Sequence, residues 1–74
     1  MDRDAVRRIF LEAGASDAEI ARVDRGIDLF LEGKMTSEEL YYYLIGLSNE
    51  LLIPLTPRQV GDLRVALGLP RSRV

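Results

Sequence analysis

The spacing of hydrophobic residues along this chain follows the 3.6-residue period of amphipathic helices. Apolar residues recur three and four positions apart in four stretches, near residues 3–13, 17–32, 37–52 and 57–67. No stretch shows a competing strand pattern. The sequence therefore predicts an all-α fold: a small compact four-helix domain with short turns, covering residues 1–74 and ending in a short basic tail at 70–74.

Three of the predicted helices begin with the same local signal, a hydroxyl residue followed three positions later by Glu or Gln. In this capping box the hydroxyl accepts from a free backbone N–H, and the Glu or Gln side chain accepts from the N–H of the hydroxyl residue. The pairs are Ser16 with Glu19, Thr36 with Glu39 and Thr56 with Gln59. At the other ends, glycine or proline is placed to stop each helix. These residues are Gly14, Gly33, Pro54 and Gly68.

The same spacing predicts which residues face the core. The expected inward residues are Val6, Ile9, Phe10 and Ala13 in the first helix, Ile20, Val23, Ile27, Phe30 and Leu31 in the second, and Val60, Leu63 and Leu67 in the fourth. The third helix has a main stripe of Leu40, Tyr43, Leu44, Leu47 and Leu51 and a second strip of Tyr41, Ile45 and Leu52. Its wide apolar face predicts that helix three is central.

Three consecutive tyrosines in the third helix suggest a recognition surface. At about 100° per residue they fan over roughly 200°, so they cannot all face one core. Tyr42 is expected outside, on an arc shared with Gly46, Asn49 and Ile53. An exposed aromatic beside the notch left by a glycine suits contact with another protein. The alternative is an ordinary surface tyrosine with its hydroxyl in water.

The second helix carries an acidic strip that calls for a basic neighbour. Asp17, Asp24, Asp28 and Glu32 project within roughly 80° of one another, and the last three lie four residues apart, a spacing at which like charges repel. One expectation is an internal partner, either Arg64 or the Arg71–Arg73 segment. The other is a basic surface on a second protein.

One segment resembles a calcium-binding loop, but only in the pattern of its residue types. Counted from Asp28, a twelve-residue loop would have Gly33 at position six and Glu39 at position twelve, as EF-hands require. Position three, however, is Phe30, which cannot ligate a cation. One straight helix face does not wrap an ion either, so no metal and no other cofactor is expected.

Charge distribution raises a DNA-binding alternative. Residues 1–53 hold eleven acids and six bases, a net charge of −5, and residues 54–74 hold four bases and one acid, a net charge of +3. A helix-turn-helix using the fourth helix would contact DNA through Arg58, Gln59, Arg64, Arg71 and Arg73. The acidic body and a pI near 5.0 oppose this reading, so nucleic acid is the less favoured partner.

Composition narrows the remaining classes. The chain has no His and no Cys, which removes the commonest general base, transition-metal ligand and activated nucleophile. No apolar run reaches the roughly 18 residues of a membrane span, and a cytoplasmic location is expected. We therefore expect no enzyme but a protein–protein interaction module of regulatory, inhibitory or adaptor type. It would use the outer face of helix three and the acidic strip, with self-association through helix three as part of this expectation.

Overall fold

The predicted helices begin where the local signals indicate. The computed structural model describes residues 1–72, and its helices are α1 (Arg3–Glu12), α2 (Asp17–Leu31), α3 (Ser37–Glu50) and α4 (Pro57–Ala66). Ser16, Thr36 and Thr56 are N-caps with both hydrogen bonds of the capping box in place. α1 starts at Asp2, whose carboxylate accepts from the Ala5 N–H at 3.1 Å. Four helices without a strand in the described residues confirm the all-α prediction.

The helices pack into a compact globule. At the level of the backbone, α1 lies between α2 and α4, and α2 lies between α1 and α3. The Asp2 N–H donates to the Ala66 carbonyl at 2.9 Å, which ties the start of the chain to the end of α4. The radius of gyration is 11.1 Å, as the scaling of about 11 Å for a compact chain of this length requires. The prediction that helix three is central is not met by the backbone of α3, which lies mainly beside α2, although its tyrosine side chains reach both α2 and α4.

A single hydrophobic cluster fills the space between the helices. Its buried members are Val6, Ile9, Phe10, Ile20, Val23, Ile27, Leu40, Tyr41, Leu44, Leu47, Ile53, Leu63, Ala66 and Leu67. Six further expected core residues are only partly buried and pack against this cluster: Ala13, Phe30, Tyr43, Ile45, Leu51 and Val60. The two others do not belong to the core, since Leu31 is 61% exposed and Leu52 is 85% exposed. Leu31 is the last residue of α2, at the edge of its apolar face. Leu52 lies beyond the end of α3, so the helical spacing that placed it inward no longer applies.

The ends of the helices divide into two kinds. Gly14, Gly33 and Gly68 have φ values of +101°, +79° and +82°, the left-handed conformation that glycine adopts without steric cost. After α3 the same position is held by Leu52, with φ +55°. The following Ile53 N–H then donates back into the last turn of the helix. α3 therefore stops at Glu50, earlier than the prediction based on proline.

Candidate functional site

Tyr43 packs against α2 and is hydrogen-bonded to it. Its ring lies so close to Gly26 that a Cβ on that glycine would come within 2.5 Å of it. Its hydroxyl donates to the Arg22 carbonyl at 3.1 Å. The Arg22 guanidinium in turn donates to Glu50 at 2.6 Å, a hydrogen bond that raises the pKa of Arg22 above its ordinary value. Because the hydroxyl reaches the edge of the interface, Tyr43 is half-buried rather than part of the central stripe.

Tyr41 is the buried tyrosine, because α4 covers it. The Arg64 guanidinium carbon lies 4.7 Å from the centre of the Tyr41 ring, in a cation–π arrangement. Arg64 also donates to the Pro70 carbonyl at 2.7 Å and lies 3.7 Å from Glu38. The Arg64 side chain is only 4% exposed. Arg64 is therefore an internal residue, which corrects its predicted place on a DNA-contacting surface and as a partner of the acidic strip.

The opposite side of α3 carries the predicted outer residues. Tyr42 is 48% exposed and meets the edge of Tyr41, with ring centres 5.3 Å apart. Gly46 and Asn49 are exposed, and a Cβ added at Gly46 would meet nothing within 4 Å, so the expected notch is open. Ile53 is buried, contrary to its predicted place on this arc, because the chain leaves the helical path before it. We call Tyr42, Gly46 and Asn49 the outer flank.

An open depression of about 420 Å³ continues the outer flank at the C-terminal end of α3, and we call it the apolar groove. It is lined by Ile45, Ser48, Asn49, Leu52, Ile53, Pro54, Leu55 and Val60. None of these lining residues, all within the described part of the chain, is charged. The Ser48 hydroxyl donates to the Ile45 carbonyl at 2.8 Å, so it is engaged inside the helix. The groove is suited to receive an apolar side chain rather than a charged ligand.

Leu52 is the residue that the sequence interpretation missed. It forms part of the rim of the groove, and its side chain is almost fully exposed in a backbone conformation that costs a non-glycine residue roughly 1–2 kcal/mol. A signal for it was present in the sequence. Three helices are followed by a glycine, whereas α3 is followed by Leu-Leu-Ile-Pro, so an ordinary residue had to take the left-handed position.

The acidic strip on α2 has basic partners on α1. Asp28 is paired with Arg3, and the Asp24 carboxylate lies 3.2 Å from the Arg7 Nε atom. The strip borders a second depression of about 320 Å³. The internal partner that the sequence required is thus supplied by α1, and not by the C-terminal arginines.

The remaining members of the strip lie at the two ends of α2. Glu32 lies 3.0 Å from Lys34. Asp17 is exposed in the first turn of the helix, where the dipole favours an acid. Both positions are explained locally, without a second protein.

Several of the residues proposed for DNA contact are engaged within the domain. Arg71 follows α4, packs against Gly61 of that helix and pairs with Asp62 at 2.6 Å, so this part of the basic tail folds back on the body. The Gln59 side chain accepts from the N-cap N–H of the same helix at 2.9 Å. Arg58 is exposed, and Arg73 lies outside the described residues. DNA contact through the exposed arginines stays a prediction.

The loop that resembles an EF-hand uses its acids for other purposes. The Glu39 carboxylate accepts from the Thr36 N–H at 2.8 Å, as part of the capping box, and Asp28 is engaged with α1. Among residues 1–72, no three acidic side chains are grouped as a metal site would need. None of the helices in that range combines the length and the apolar character needed to cross a bilayer.

Comparison with known proteins adds no relative. No protein-family model, no curated protein and no solved structure matches this chain. Function is therefore argued from the site itself.

Proposed function

We propose that this chain is a small non-catalytic protein–protein interaction module, of regulatory, inhibitory or adaptor type, that works in the cytoplasm. Its partner would bind the outer flank of α3 and the apolar groove. The acidic strip is left out of this surface because α1 supplies bases to it. A non-catalytic role is supported by a groove whose only polar side chains are Ser48 and Asn49, in a chain without His or Cys.

One observation carries the proposal: an exposed leucine occupies a backbone position where the other helices use glycine. Leu52 gains little from folding, because 85% of its surface stays in water. Glycine at this position would relieve the steric cost of a positive φ. The steric cost of a leucine there is offset only if its side chain is buried against another molecule. Burial of such a side chain stabilises a contact by about 1.5–3 kcal/mol. Contact with a partner supplies that burial.

The test compares two aspartates at exposed leucines. Tagged wild-type protein, Leu52→Asp and the control Leu31→Asp are used for affinity capture from cells, with quantitative mass spectrometry. Leu31 suits the control because it is also exposed but lies at the end of α2, away from the groove. We expect a protein captured by wild type and by Leu31→Asp to fall at least tenfold with Leu52→Asp. Capture that is unaffected by Leu52→Asp for every protein recovered would refute the proposal.

A further inference from the structure

The exposed residues of α3 are spaced like the contact seam of a paired helix. Tyr42, Ile45 and Asn49 are separated by three and four residues within α3, the a and d spacing of a heptad repeat, and Leu52 continues this line in the turn after the helix. Tyr42, Asn49 and Leu52 are exposed, and Ile45 is partly exposed at the edge of the groove. We call these four residues the seam. Its last member lies in the turn after α3, so the seam ends in a protruding leucine rather than in a helical position.

The seam and the groove complement each other on one surface. Any partner must fill an apolar hollow and must also receive a projecting leucine. This chain has both features side by side, because Leu52 stands on the rim of the groove. In a two-fold interface each subunit offers the same patch, so a projection beside a hollow is completed by its own copy. We infer that the occupant is a second copy of this chain, with each Leu52 seated in the groove of the other. This inference rests on the proposed function and names its partner.

Charge is compatible with pairing between identical copies. Two copies bring the same charges together, so a charged patch would repel itself. The groove and the seam, all of them described residues, carry no charged side chain in a protein in which 30% of residues are charged. Asn49 is the polar member of the seam, at a position where asparagine in paired helices fixes the register. An amide is both donor and acceptor, so Asn49 can pair with Asn49 of the other copy near the two-fold axis.

The area of the contact surface limits the expected affinity of the dimer. A stable interface buries about 800 Å² on each partner. The chain exposes 4523 Å² in all, so such an interface would need close to a fifth of its surface. The groove alone is too small, and the contact must extend along the seam to Tyr42. We therefore expect a reversible dimer with a dissociation constant in the micromolar range.

Sedimentation equilibrium on the purified full chain tests the inference, from low micromolar to near-millimolar protein. Wild type and Leu31→Asp should both shift from the monomer mass toward twice that mass. Leu52→Asp should raise the dissociation constant at least tenfold, because each groove would then receive a carboxylate. Amide NMR shifts that depend on concentration should cluster on the seam and the groove and not at Leu31.

A second variant guards against a folding defect. Leu52→Gly removes the projecting side chain but relieves the positive φ, so it should melt at a higher temperature and still fail to dimerise. A monomeric wild type at near-millimolar concentration would overturn the inference, as would Leu52→Gly dimerising as well as wild type. The proposed function fails separately if affinity capture recovers no protein, copies of this chain included, whose binding depends on Leu52.

Discussion

Tyr41 and Tyr42 are neighbours in sequence, yet one is 8% exposed and the other 48% exposed. The flank of α3 that carries Tyr41 is closed by Arg64, which the Pro70 carbonyl holds in place. The flank that carries Tyr42 leads instead to an open groove. Helical position alone turns Tyr42 away from the core. The comparison teaches that the burial of Tyr41 depends in addition on the element that packs over its flank.

The largest expected effect is the loss of the closed flank. Arg64→Ala should destabilise the fold by about 3 kcal/mol, because it uncovers Tyr41 and removes the bond to Pro70. Urea denaturation followed by circular dichroism measures the change. Arg58→Ala is the matched control, since Arg58 is exposed at the start of the same helix and should cost no more than about 0.5 kcal/mol. Equal losses for the two variants would mean that Arg64 does not hold the flank closed.

The next effect separates the two tyrosines. Tyr42→Ala should weaken association by about 2 kcal/mol, roughly 30-fold, as expected for an aromatic anchor, and should change folding stability little. Tyr41→Ala should instead cost about 3 kcal/mol of stability by opening a cavity. Sedimentation and urea denaturation on both variants give the two quantities. If Tyr42→Ala destabilises the domain as much as Tyr41→Ala does, the outer flank belongs to the core and the proposed difference between the two tyrosines is wrong.

A smaller effect compares the ends of α2 and α3. Leu52→Gly should stabilise the monomer by about 1 kcal/mol, since glycine removes the cost of a positive φ while little packing is lost. Gly33→Leu makes the reverse exchange after α2, where a side chain would meet open space, and should cost about 1 kcal/mol or more. Thermal melts at a concentration that keeps both variants monomeric measure the pair. Opposite signs are expected, and a destabilising Leu52→Gly would show that Leu52 already packs within the monomer.

The smallest effect concerns the N-cap of α3, the helix that carries both flanks. The Thr36 hydroxyl accepts from the Glu39 N–H at 3.1 Å, so Thr36→Ala should lower stability by about 1 kcal/mol or slightly less. It should leave association unchanged below the melting range, because Thr36 lies far from the groove along α3. Urea denaturation and sedimentation again provide the measurements. A weakened dimer at unchanged stability would mean that the contact extends to the start of the helix.

Features governed by near neighbours in sequence were predictable. The capping boxes at Ser16, Thr36 and Thr56 are present as expected, because each uses atoms within four consecutive residues. Helices followed by glycine ended within one residue of the prediction for the same reason. The exposed position of Tyr42 also followed, since helical geometry alone turns one of three consecutive side chains away.

Features that depend on a distant element were not predictable in the same way. The sequence placed Tyr43 in the main core stripe and Tyr41 on its flank, which is wrong: Tyr41 is the more buried, because Arg64, 23 positions away along the chain, covers it. For the acidic strip the sequence offered either the C-terminal arginines or a second protein as the basic partner, whereas α1 packs beside α2 and brings Arg3 and Arg7 to it. A charged surface side chain pairs with whichever opposite charge the fold brings within reach.

The candidate site combines features that the sequence specifies with features that only the fold specifies. The sequence by itself determined four amphipathic helices, their starts and an exposed tyrosine on α3, because hydrogen bonds over three or four residues and a 3.6-residue period specify them. Only the tertiary structure decided that Ile53 turns inward and Leu52 outward. The exchange follows from one left-handed residue after α3, whose φ is set by the need to pack Ile53 into the core and carry the chain on to α4.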